Sequence, residues 1–289
     1  MNRKLISFDW AMKKILREKA NFDILEGFLS ELLCFDVFIV EILESETNQE
    51  SDKNKFNRVD LLAKDSQNRF ILIELQHDSE NDYFHRMVYG ASKLISEYFD
   101  IGKPYSNIKK VYSINIVYFG LGQGSDYLYK GEINFKGLNR DDTLELNDKQ
   151  KELFGDIRVK DIFPEFFIIK VNNFDKLSKK STIDEWIYFL KTEEINEDFQ
   201  AKGIEKAKEK LDVLKLPDNE RIAYKRNLEN KSLENSVIAT AKFEGEQIGI
   251  EKGEKQKAIE IAKNLLKQNI DINIIMISTG LSYNEIIKI

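Results

Sequence analysis

The chain has 289 residues, 42% hydrophobic and 33% charged, with a formal net charge of −6. That length supports a sizeable core in one or two domains, and the acidic balance argues against a sequence-blind basic coat on DNA, though not against a local basic groove. One cysteine, Cys34, excludes an internal disulfide framework; no apolar run reaches the roughly 18 residues of a membrane span and no signal-peptide centre is present, so a soluble cytoplasmic protein is expected.

In chain order, Asp9 to Phe35 carries apolar residues at helical spacing, among them Ala11, Met12, Ile15, Leu16, Phe22, Leu25, Phe28 and Leu29. DVFIVEIL (36–43) is short and β-branched, as a strand should be. RVDLLAKDSQNRFILIELQHD (58–78) holds two further apolar runs about a polar turn. ENDYFHRMVYGASKLISEYF (80–99) has a stripe at Phe84, Met87, Val88, Ala91, Leu94, Ile95 and Tyr98, which predicts an amphipathic helix. VYSINIVYFG (111–120) is another strand. GLGQGSD follows it, without a P-loop lysine or a following helix, and so is expected to be a plain loop. A hairpin is expected around YLYKGEINFKGLN, then a strand within 163–174 and a helix over 181–191.

This order predicts an α/β (mixed α+β) core, α-β-β-β-α-β, in which a mixed sheet is flanked by helices. We place that domain at 1–192 and a mainly helical region at 193–289. Within the latter, Gly245, Gly249 and Gly253 recur every fourth residue. Glycine costs a helix about 1 kcal/mol relative to alanine, which close helix–helix approach in a homo-oligomer would offset; a frayed linker helix is the plainer alternative. ISTGLSYNEIIKI ends the chain as two short helices around Thr279-Gly280. Its shape is that of a helix-turn-helix, although oligomerisation or regulation would use the same two helices.

The carboxylates inside 58–78 need an explanation, because a charge in a strand facing a core costs several kcal/mol unless it is paired. A three-residue loop in Asp65–Arg69, with Asn68 left-handed, sets 65 opposite 69 and therefore Asp60 opposite Glu74. Opposed residues have Cβ atoms about 4.5–5.5 Å apart, so the pair would repel unless a cation lay between. Gln76 follows on the face of Glu74. Such hard oxygen ligands suit Mg²⁺; a register one residue off would send the acids to opposite faces.

Asp60 followed by Glu74-Leu75-Gln76 resembles the PD-(D/E)XK nuclease signature. More narrowly the chain resembles the PD-(D/E)XK family of transposase-like proteins, or recombination-promoting nucleases. FDWAMKKIL (8–16), RVDLLAKD, IELQ (73–76), FHRMVYGASKL (84–94), GKPYSNIKKVYSINIVYF (102–119) and the glycine-punctuated C-terminal helix ending in TGLS carry the likeness. Val59 replaces the signature's proline and Gln76 its lysine, a change this narrower family accepts. The resemblance implies a divalent-metal-dependent endonuclease acting on double-stranded DNA in recombination, mobile-element or defence settings. It implies Asp60 and Glu74 as ligands of Mg²⁺ (or Mn²⁺), Gln76 as the group orienting the attacking water, and Asp9 as a further ligand. Asp9 would equally suit the helix dipole and a pair with Lys13. His77 stands beside the site and could touch a phosphate, or be a solvated strand-end histidine. Arg86, Tyr89 and Lys93 share the helix face opposite the apolar stripe and could grip DNA phosphates; a solvated charged face would look the same. A nuclease-fold protein that binds DNA or a partner without cutting, and a toxin-like regulatory assembly module, remain the rival readings.

Overall fold

The computed structural model describes residues 5–43, 61–175 and 181–289. The chain forms two compact units, Met1–Pro217 and Asp218–Ile289.

The first unit begins with α1 (Phe8–Lys14), whose N-cap Ser7 accepts from the Trp10 backbone N–H, and α2 (Phe22–Leu33), which ends at Cys34 with φ 59°. The single helical stretch expected over 9–35 is therefore two helices. Then come β1 (Ile39–Leu43), β2 (Leu61–Asp65), β3 (Phe70–Gln76), α3 (Tyr83–Glu97), β4 (Val111–Val117), β5 (Leu128–Gly131), α4 (Asp148–Phe154), α5 (Val159–Ile162), β6 (Glu165–Lys170), α6 (Thr182–Thr192) and α7 (Ile204–Lys210). The strands form one mixed sheet in the order β1-β2-β3-β4-β6-β5, with β3, β4 and β6 parallel and the rest antiparallel. This is the expected core order and fold class. The segment after β4 differs from the expectation. Residues 128–131 form no local hairpin but an edge strand against β6, and only an isolated bridge, Lys136 to Thr143, follows. The free edge of β6 supplies a full row of backbone partners, more than a short local turn can.

The β2–β3 turn is built as its sequence predicts. Asp65 N–H donates to the Arg69 carbonyl at 3.1 Å, and the Asp65 carboxylate accepts from the Gln67 and Arg69 amides, each at 2.9 Å. Asn68 takes φ 58°, a left-handed value that asparagine tolerates. The described rungs run Leu61–Ile73, Leu62–Leu72, Ala63–Ile71 and Lys64–Phe70, the register expected from that turn. Asp60, one step further, lies outside the described residues.

Helix α3 covers one face of the sheet, packing Ala91 and Leu94 on Leu62, Phe70, Leu72 and Val111. Alternate residues Ala63, Ile71, Ile73, Ile114 and Ile116 are fully buried on the other. The rings of Phe8, Phe28, Trp186 and Phe189 meet edge to face and tie α1, α2 and α6 together. Burying each such side chain contributes about 1.5–3 kcal/mol.

The first unit continues past residue 192 because the following segment is anchored in it. Glu185 accepts from the Gln200 and Ala201 amides at 2.7 and 2.6 Å, and Trp186 Nε1 donates to the Lys202 carbonyl. Gly27 of α2 lies against this segment so closely that a Cβ there would sit 2.3 Å from the Lys202 oxygen.

The second unit comprises α8 (Asp218–Lys267), α9 (Ile272–Thr279) and α10 (Tyr283–Ile286). Ala262, Ile275, Leu281 and Ile286 form its small core, and Gly280 turns the chain with φ 71° between α9 and α10. Gly245, Gly249 and Gly253 lie inside α8, where a Cβ on any of them would meet nothing within 4 Å.

Candidate active site

Period two along β3 puts Phe70, Leu72, Glu74 and Gln76 on the face toward α3. The first two are ordinary core residues. Glu74 is a carboxylate only 6% exposed, at the C-terminal end of a strand whose parallel partner sets Asn115 directly beside it.

A polar network underlies that position. Asn115, with no exposed surface, accepts from the Tyr83 hydroxyl at 3.3 Å. Its amide group donates to Ser113 Oγ at 3.0 Å and to the Ser113 and Phe167 carbonyls, each at 3.2 Å. Sequence reasoning missed these residues. The signal was present: in VYSINIV, Ser113 and Asn115 are the polar residues, spaced by two, and so share one face of an otherwise apolar strand.

From the helix side, Gly90 and Arg86 approach Glu74 one turn apart. A Cβ on Gly90 would lie 3.8 Å from Glu74 Oε1, an ordinary van der Waals contact. Arg86 Nε stands 3.6 Å from Glu74 Oε2, and Arg86 Nη1 donates to Glu80 Oε2 at 2.9 Å. This corrects the expected helix face. The buried line of α3 is Tyr83, Met87, Ala91 and Leu94, while Phe84 and Val88 are exposed. Rotating the helix to bury that line carries Arg86 from the solvated face to the flank above Glu74. Burial works against its charge, but Glu74 and then Glu80 outweigh this and hold the guanidinium above its ordinary pKa. Tyr89 is half exposed, and Lys93 pairs with Glu97 at 3.4 Å.

Gln76 donates through Nε2 to the Asp78 carbonyl at 3.3 Å, and its amide oxygen can only accept. His77 stacks on Tyr118 with ring centroids 4.4 Å apart. The Tyr118 hydroxyl donates to the Leu190 carbonyl at 2.9 Å; burial above all, then the charges of Asp9 and Glu193, push its pKa far up, so it stays a neutral donor. Asp9 lies in the first turn of α1, 2.7 Å from Lys13 Nζ. Its charge is also felt at Tyr118.

Among the described residues no group of three His, Cys, Asp or Glu is arranged to hold a metal ion. Glu74 and Gln76 nonetheless offer hard oxygen donors on one face, the kind of donor Mg²⁺ and Mn²⁺ take. The donor chemistry fits a divalent cation. No described helix is long and apolar enough to cross a membrane.

Residues 6–241 match the model of the PD-(D/E)XK nuclease family transposase, and residues 255–289 match that of the Rpn/YhgA-like nuclease family C-terminal HTH domain. No curated protein and no solved structure matches the chain.

Proposed function

This chain belongs to the PD-(D/E)XK nuclease family of transposases, and from that premise we propose that it is a divalent-metal-dependent endonuclease hydrolysing phosphodiester bonds in double-stranded DNA, in a recombination, mobile-element or defence setting. The observation that carries the reading is Glu74: a buried carboxylate at the end of a central strand whose described rungs with β2 follow the register the turn predicts. Asp60 and Glu74 would hold Mg²⁺ or Mn²⁺, with Asp9 as a further ligand. When bound, such an ion offsets phosphate charge and lowers the pKa of a water.

The chain's own groups do the rest. Gln76 accepts a hydrogen bond from the attacking water and orients it without adding charge. Asn115 and Tyr83 brace the strand beside Glu74 so that the carboxylate keeps one direction. Tyr89 and Lys93 of α3 would meet the backbone of a bound duplex.

The C-terminal module would bring the DNA. A helix-turn-helix reads a groove with its second helix, and residues 255–289 carry five lysines against three acids although the whole chain is acidic. The open glycines of α8 suit a second copy of the chain. Replacing Gly245, Gly249 and Gly253 together with leucine should then change the mass seen by light scattering; an unchanged mass would remove them from any interface.

A second reading, a nuclease fold that binds DNA without cutting, rests on Gln76 standing where a lysine is usual. Plasmid nicking with Mg²⁺, Mn²⁺ or EDTA, for the wild type and Asp60→Ala, decides between them. Metal-dependent nicking lost in the variant supports the endonuclease; equal nicking by both, or none by either, refutes it at this site.

A further inference from the structure

Gln76 leaves the strand end without the positive side chain usual there, so the cation nearest Glu74 among the described residues becomes important. It comes from α3. Arg86 Nε is buried, 3.6 Å from Glu74 Oε2, and makes no hydrogen bond among the described residues. That distance lies beyond a hydrogen bond and within an ion pair. The guanidinium is held in place from its other end by Glu80 at 2.9 Å and lies 6.0 Å from the centre of the Tyr83 ring. Tyr83 is in turn fixed by Asn115, the lateral neighbour of Glu74. A purely structural arginine would spend its donors on acceptors at bonding distance. Here one donor is reserved, facing the carboxylate that the proposed function uses.

We propose that Arg86 is a positioning residue for Glu74, holding the carboxylate aimed into the site and supplying the side-chain positive charge that Gln76 lacks. The inference rests on the reading of Glu74 as the metal-holding carboxylate. It gives Arg86 a role distinct from gripping DNA. Two consequences are opposite in sign. A positive charge near the ion repels it, so removing Arg86 should tighten metal binding. The same removal takes away one of the groups that direct Glu74, so cleavage at saturating metal should slow.

The experiment uses the full chain with Arg86→Met, Arg86→Lys, Glu74→Gln and the Glu74→Gln/Arg86→Met double variant. Thermal melts in EDTA read the pair without metal or activity. The double variant should melt about 2 °C or more above the sum of the single losses, as expected of coupled neighbours. Calorimetric titration with Mn²⁺ should show Arg86→Met binding about tenfold tighter, the Coulombic scale for removing one nearby like charge in a water-like dielectric. Its kcat should fall about tenfold or more with the KM for DNA unchanged, and Arg86→Lys should recover both properties to within about threefold. Additive melting, looser Mn²⁺ binding in Arg86→Met, or a loss confined to KM each overturns the proposal. A wild type that neither binds Mn²⁺ nor cuts refutes the endonuclease reading instead, while the EDTA melts still decide whether Arg86 and Glu74 act as a pair.

Discussion

Replacing Asn115 tests whether the floor of the site is held by the network seen beneath Glu74. Asn115 has no exposed surface and bonds to the Tyr83 hydroxyl, Ser113 Oγ and the Ser113 and Phe167 carbonyls. Asn115→Ala strips an acceptor from a buried hydroxyl and a donor from a buried carbonyl, each worth about 1–3 kcal/mol when left unsatisfied. Local rearrangement recovers some of this, so a net loss of about 3 kcal/mol is expected. At about 2–4 °C per kcal/mol for a unit of this size, the melting temperature should fall by about 6–12 °C. Ser113→Ala removes a single acceptor and should cost about 1 kcal/mol; Tyr83→Phe leaves one buried carbonyl oxygen short and should cost about 1–2 kcal/mol. The assay is calorimetry of the full chain, following the transition of the larger unit. A further loss on combining Asn115→Ala with Tyr83→Phe should be smaller than the Tyr83→Phe loss alone, because the bond is already gone. If Asn115→Ala melts within about 2 °C of wild type, or the two losses simply add, the network does not hold the site and the reasoning fails.

Glu74→Ala should lower cleavage on the order of 10³-fold or more, and Gln76→Ala only about 10–100-fold, since one orienting hydrogen bond is at stake; initial rates against Mg²⁺ concentration check the ranking, and Gln76→Lys should keep or raise activity. Tyr89→Ala and Lys93→Ala should weaken DNA binding, and Lys93→Ala should reduce the salt slope by about one unit while Mn²⁺ affinity stays constant. The C-terminal helices should loosen in acid. Lys255 at 2.8 Å, together with the Ser282 cap, draws the Glu285 pKa from 4.5 down to about 2. A carboxylate lowered on folding stabilises above its unfolded pKa, so this contribution is complete above about 4.5 and disappears as pH falls toward 2, a change that amide exchange at α10 would report and Glu285→Gln would remove.

Local chemistry was enough for the β2–β3 hairpin. Asp65 and Asn68 suit one turn, that turn has one register, and a side-chain period of two then assigns Glu74 and Gln76 to a common face. The same locality explains why the element order and the Gly280 break were readable from the chain alone: capping residues, glycines and apolar spacing act within a few positions. Three features needed the assembled molecule. The rotation of α3 is decided by which line of side chains buries most area against the sheet. Met87, Ala91 and Leu94 of the expected stripe are buried together with Tyr83, while Phe84 and Val88 stay exposed, and Arg86 comes to stand beside Glu74. The partner of β5 is the edge of β6, which is distant in sequence but adjacent in space. Asn115 becomes the neighbour of Glu74 only through the parallel β3–β4 register, which a crossover helix sets and no turn does. Periodicity names the faces of an element; only packing says what each face meets.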